Sequence, residues 1–97
     1  MQTLTFEYPA TSAVTSRTHI GVVGSGDLEI LLEPNSKNLA SVRVRTTVDG
    51  FDTVWRTVLD AFFANHPVAG RYELNDQGAT PGVVGLRLLQ VLSKSES

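Results

Sequence analysis

An α+β fold, a two-layer domain with a mostly antiparallel sheet of about five strands covered by two helices in the order ββββαβα, is predicted by three features of the sequence. Leu4, Phe6 and Tyr8 alternate with Thr5 and Glu7, and Ala40, Val42 and Val44 alternate with Ser41, Arg43 and Arg45, the period-two pattern of strands buried on one face. Phe51, Val54, Trp55, Val58, Leu59, Phe62 and Phe63 recur at the three- and four-residue steps of an amphipathic helix. Thr80 followed by Pro81 is a capping residue before a favoured first helical residue, and Val84, Leu88, Val91 and Leu92 continue as one stripe. Each element has one apolar face to bury, so sheet and helices must cover one another.

The first strand ends near Pro9, which has no amide to extend a ladder, and the small polar run from Pro9 to Ser16 reads as a surface connection. His19 to Val23 and Leu28 to Glu33 are apolar runs of strand length separated by Gly24-Ser25-Gly26-Asp27, the spacing of a hairpin. Pro34 to Asn38 is a turn cluster, and the next strand places Ala40, Val42, Val44 and Val48 on one face. If that turn closes a second hairpin, Glu29 and Glu33 can pair with Arg43 and Arg45, each pair contributing about 0.2–1 kcal/mol.

Asp49 or Gly50 can cap the first helix, Asp52 suits its first-turn dipole, and His66-Pro67 stops it because a residue before proline avoids helical angles. Its aromatic stripe has core spacing, so packing rather than a cofactor box explains it. Arg71 to Asn75, bounded by Gly70 and Asp76-Gln77-Gly78, fits a last strand. The second helix should run to about Ser93. Gly82 and Gly85 cost it about 1 kcal/mol each relative to alanine, which a close approach to a neighbouring surface would offset. Val83, Leu86 and Leu89 widen its apolar face until Arg87, Gln90 and Lys94 form a narrow polar strip, and Ser93 to Ser97 should fray. The recurrence of Gly21-Val22-Val23-Gly24 as Gly82-Val83-Val84-Gly85 has different flanks and marks no repeat.

With 97 residues the chain fits one domain over positions 1–97. Eight basic and ten acidic side chains leave a net charge of −2, too even a balance to attract nucleic acid or an anionic membrane. No run reaches the length of a membrane span and the first residues do not read as a secretion signal, so a cytoplasmic location is expected. The chain has no cysteine, which removes disulfides, thiolate metal sites, a thiol nucleophile and an intrinsic thioester together. His19 and His66 stand in no pattern that puts two ligands on one helix face, so no metal site is expected.

Ser25 lies between two residues without side chains and is followed closely by Asp27, which leaves its hydroxyl open to a large modifying enzyme. Taken alone, Gly-Ser-Gly-Asp also describes a tight polar turn and nothing more. A nucleophilic triad of Ser25, His19 and Asp27 is the sharper rival. It lacks the flanking of a nucleophile elbow, since Val23 and Asp27 occupy the positions that elbow gives to glycine. The glycine spacing at 21, 24 and 26 is neither a dinucleotide fingerprint nor a P-loop, and Asp27 would repel a phosphate. Asp49 with Asp52 and Glu29 with Glu33 are explained by capping and a solvated strand face, so no catalytic residue is assigned.

The segments Val23-Gly24-Ser25-Gly26-Asp27-Leu28-Glu29 and Gly78-Ala79-Thr80-Pro81-Gly82-Val83-Val84, with the opening Leu4-Thr5-Phe6 and the total length, resemble the acyl carrier (delta) subunits of bacterial malonate decarboxylases. The resemblance covers nearly the whole chain. It implies a covalent phosphodiester from Ser25 to a 2'-(5''-phosphoribosyl)-3'-dephospho-CoA group whose thiol carries acetyl and malonyl in turn. The lack of cysteine agrees with a borrowed thiol. It also implies the partners: an acetyl/malonyl transferase subunit, two carboxyltransferase-like decarboxylase subunits and an enzyme that attaches the prosthetic group. Ser25 would then be an anchor in a subunit without enzyme activity of its own, with no nucleic-acid and no direct membrane contact. Ordinary four-helix acyl carriers differ, because they are strongly acidic and place the modified serine at a helix start. The alternatives are a non-covalent binding or assembly module, in which Gly24-Ser25-Gly26 is only a turn, and a citrate lyase-type carrier. The wide apolar face of the second helix and its glycines further suggest that Gly78 to Val84 lies at or near a subunit contact.

Overall fold

Parallel pairing of two strands that the sequence separates by a helix organises the sheet. The structure is a computed structural model that describes residues 1–95. Its elements are β1 (Gln2–Pro9), β2 (Ser12–Ala13), β3 (Thr18–Gly21), β4 (Leu28–Glu33), β5 (Leu39–Thr46), α1 (Asp52–Asn65), β6 (Val68–Asp76) and α2 (Pro81–Ser95). The strand order is β1-β5-β6-β4-β3, with β2 paired to β6 beside that path. Antiparallel ladders join β1 to β5, β3 to β4 and β4 to β6, while β5 and β6 run parallel. A parallel pair needs a crossover of about a dozen residues or more, and α1 supplies it. The α+β class and the predicted order hold, with one two-residue strand added.

Register puts Phe6, Val42, Tyr72 and Leu32 side by side across four strands, all buried beneath the helices. The adjacent row, Glu7, Ser41, Arg71 and Glu33, lies on the opposite face, and the alternation seen in β1 and β5 therefore separates core from solvent. α2 covers β3 and β4 and meets α1, which reaches across to β1. Trp55, Leu59, Phe62 and Phe63 of α1 and Val84, Leu88, Val91 and Leu92 of α2 join the buried cluster. Phe63 packs edge-on against Tyr72 at 5.0 Å and stacks on Tyr8 at 4.8 Å, so Trp55, Phe62 and Phe63 are core, as their spacing indicated, whereas Phe51 and Val54 at the start of the stripe are exposed. His66 closes α1, its amide donating to the Phe62 carbonyl. Among the described residues no helix is long and apolar enough to cross a membrane.

The structure corrects several local expectations. β4 and β5 form no hairpin, because β6 lies between them. Glu33 pairs with Arg71 and Arg43 with Glu73, while Glu29 accepts from Asn75 and meets His19, so the proposed Glu–Arg pairs across β4 and β5 do not exist. The 10–16 connection holds β2, and its Val14 is buried in the core. Val22 and Val23 lie beyond β3 and are exposed, because Gly21 at φ +82° turns the chain away. Val48 likewise falls outside β5. Neither Asp49 nor Gly50 caps α1: Phe51 occupies that position, without a side-chain cap. Gly82 and Gly85 meet no close neighbouring surface. Helix α2 continues through Ser95, whose hydroxyl donates to the Leu92 carbonyl and whose side chain is buried, so the frayed tail does not include residues 93–95. The remainder of that expectation lies outside the described residues.

Candidate functional site

Ser25 sits on a reverse turn that the local sequence builds and two distant elements brace. The Asp27 amide donates to the Gly24 carbonyl at 3.0 Å, which makes Ser25 and Gly26 the two central residues. Gly26 has φ +75° while Ser25 is not in the left-handed region, the combination that a type II turn requires and that glycine adopts without strain. One residue row back, a side chain at Gly21 would place its Cβ 2.2 Å from the Leu28 carbonyl oxygen, so the two ends of the loop approach as closely as backbone permits.

The first brace is the end of β6. The Gly26 amide donates to the Gln77 carbonyl at 2.8 Å and the Gln77 amide donates to the Asp27 carbonyl at 3.0 Å. The second is α2, from which Arg87 reaches back with Nε 3.0 Å from Asp27 Oδ1 and Nη2 2.6 Å from Oδ2. Asp27 Oδ1 also accepts from the Leu28 amide at 2.7 Å. The Arg87 fork, and secondarily the Leu28 amide, hold the Asp27 carboxyl below the ordinary carboxylate range, and the same contact raises Arg87 above its ordinary value. Ser25 itself is exposed, and its hydroxyl bonds to none of the described residues.

This geometry removes the triad. Asp27 is bonded to Arg87, and His19 turns its Nε2 to Glu29 Oε2 at 2.9 Å, so Asp27 is not the acid that orients His19. Among the described residues no group of three potential ligands could hold a metal ion.

Two residues of the site escaped the sequence reading. In the sequence Arg87 reads as part of a polar strip, although a lone cation in an otherwise apolar stretch of helix is the kind of residue that finds a partner. Asp76 reads in the sequence as turn punctuation. It is buried, and its carboxylate accepts from Thr46 Oγ1, the Gly78 amide and the Ala79 amide, which fixes the approach to α2. Thr80 does cap that helix, its Oγ1 accepting from the Val83 amide at 3.3 Å. Beside this segment Val48, Phe51, Val54 and Trp55 face Gly78 to Pro81 and Val84 across an apolar cleft of about 430 Å³.

The site is a braced turn that offers an exposed hydroxyl on a small sheet-and-helix scaffold, an open surface rather than a cavity that could enclose a substrate. Residues 15–95 match the model of the malonate decarboxylase delta subunit (MdcD). The chain is 45% identical over 95 residues to the malonate decarboxylase acyl carrier protein of Azotobacter vinelandii, covering 97% of this chain and 96% of that one. It is 47% identical over 91 residues to the protein of the same description from Pseudomonas savastanoi pv. phaseolicola, covering 93% and 92%. A chain in the crystal structure of a Pseudomonas malonate decarboxylase hetero-tetramer in complex with malonate superposes with a TM-score of 0.92 at 43% identity, over 98% of this chain and 99% of that one. The chain belongs to the malonate decarboxylase delta subunit family.

Proposed function

We propose that this chain is the acyl carrier subunit of a malonate decarboxylase and that Ser25 Oγ is the point where its prosthetic group is attached. The observation that carries the reading is the exposed, unbonded Ser25 hydroxyl on a turn held from two sides, in a chain of this family that has no cysteine. Family membership favours malonate decarboxylase over a citrate lyase-type carrier, and the bracing of the turn favours attachment over a role as connection only.

The group implied is 2'-(5''-phosphoribosyl)-3'-dephospho-CoA, which when bound would supply the thiol that carries acetyl and malonyl. The residues present fit it, because the acceptor is an alcohol at the surface and the nearby carboxylate of Asp27 is already neutralised by Arg87. Ser25 Oγ would form the bond to phosphorus as a P–O anhydride bond of an activated donor breaks. The leaving phosphate takes the electron pair, and the hydroxyl proton passes to a base of the attachment enzyme. Thereafter the protein holds the arm at high local concentration near each partner's active site, which requires only that the turn stay accessible and fixed.

The partners in this reading are an acetyl/malonyl transferase subunit and two carboxyltransferase-like decarboxylase subunits, with the subunit contact at or near Gly78 to Val84. Leu86 and Leu89 on the same helix are exposed, at 54% and 48%, a surplus of apolar surface that the chain's own core does not use. Intact-mass spectrometry after co-expression with the biosynthetic and attachment enzymes tests the attachment. The wild-type chain is expected to gain the mass of the group and Ser25→Ala to stay bare. A wild-type chain that stays bare while the complex releases carbon dioxide from malonate overturns the reading.

A further inference from the structure

We propose that Arg87 is the positioning residue and charge partner of the Ser25 turn, preparing it to receive a phosphate ester. The inference rests on attachment at Ser25 and goes beyond it by naming the side chain that makes the site competent. Asp27 stands two residues from Ser25, so a phosphodiester formed there meets a carboxylate of like charge. Arg87 comes from a helix 60 residues further along the chain and takes both oxygens of that carboxylate. The rigid planar fork of a guanidinium matches the two oxygens of a carboxylate, which fixes the orientation of Asp27 as well as its charge.

The grip is itself oriented. Arg87 Nη1 donates to Gln90 Oε1 at 3.0 Å, one helical turn on. Three of the five guanidinium N–H donors are thereby committed, leaving two without an acceptor among the described residues. The side chains of Arg87 and Asp27 are 26% and 21% exposed, so the pair beside the turn keeps contact with solvent. Loss of Arg87 would release the turn from α2 and expose the Asp27 charge at the same time.

The test is a time course of attachment, followed by intact mass, with purified attachment enzyme and the activated donor. Arg87→Met should slow attachment roughly tenfold or more, since misplacement by an ångström is enough for such a loss. Arg87→Lys keeps the charge without the two-point grip and should fall between Arg87→Met and wild type. Asp27→Asn combined with Arg87→Met should recover part of the loss, and added salt should speed Arg87→Met relative to wild type by screening Asp27. Hydrogen exchange at the Gly26 amide should be faster in Arg87→Met. If Arg87→Met is unfolded, a folded Arg87→Lys with a slowed rate carries the same conclusion. Wild-type rates in folded Arg87→Met or folded Arg87→Lys overturn the positioning role. A double variant as slow as Arg87→Met overturns the charge role, because a residue that only touches the attachment enzyme would behave that way. A wild-type chain that gains no mass at all defeats the Ser25 assignment instead, and the role of Arg87 in attachment with it.

Discussion

Thr46 Oγ1 donates a 2.8 Å hydrogen bond to Asp76 Oδ2, tying together the ends of the parallel strands β5 and β6 where both are buried. The same carboxylate receives the Ala79 amide at 2.9 Å on its other oxygen, so the pair sets the path from the central strand into α2. The Gln77 bonds that hold the Ser25 turn begin one residue later.

Asp76→Ala should therefore lower stability by about 1.5–3 kcal/mol, the cost of removing buried hydrogen bonds to a charged group. Urea denaturation measures it. A change below about 0.5 kcal/mol, the scatter of ordinary surface substitutions, would falsify the structural role assigned to this carboxylate.

Stability should decline on acidification through two groups. Arg87 and then the Leu28 amide depress Asp27, and Asn75 and then His19 depress Glu29. A carboxyl with a depressed folded-state pKa contributes stability above its unfolded value, about 4, and that contribution disappears as pH falls through the folded value. Melting curves between pH 6 and pH 2 should show a shallower acid limb for Asp27→Asn than for wild type. Parallel curves for the two would show that Asp27 contributes nothing.

Gly21→Ala should destabilise by at least about 1 kcal/mol, because alanine at φ +82° is strained and its Cβ would overlap the Leu28 carbonyl. Gly26→Ala has open space and meets only the backbone penalty. Thermal melts of the two variants should rank Gly21→Ala as the less stable, and the reverse order contradicts the loop geometry.

Leu88 is fully buried whereas Leu86 and Leu89 are exposed on the same helix. Leu88→Ala should cost about 2–5 kcal/mol. The double variant Leu86→Asp with Leu89→Asp should remain folded by circular dichroism yet fail to recover the other subunits in a pull-down. Intact assembly with a folded double variant would remove this face from the subunit contact.

Ser25→Ala should melt within about 0.5 kcal/mol of wild type, since its hydroxyl bonds to none of the described residues. Malonate-dependent carbon dioxide release by the reconstituted complex should be lost. Activity retained at the wild-type level would separate Ser25 from function.

Periodicity in the sequence was enough to establish both helices, the main strands and their buried faces, because alternation and helical spacing are local consequences of one-sided burial. Thr80-Pro81 at the start of α2 and His66-Pro67 at the end of α1 were equally legible, since capping and proline geometry act within a few residues. The motif around Ser25 located the candidate hydroxyl. Tertiary structure alone decided that β6 enters between β4 and β5, and with it that Glu33 meets Arg71 and Arg43 meets Glu73. Alternation marks which face of a strand is buried and carries no record of its neighbours. It also decided that Arg87 grips Asp27 and that Asp76 holds Thr46, contacts 60 and 30 residues apart. Such partners are matched by packing in three dimensions, and no local pattern in the chain records them.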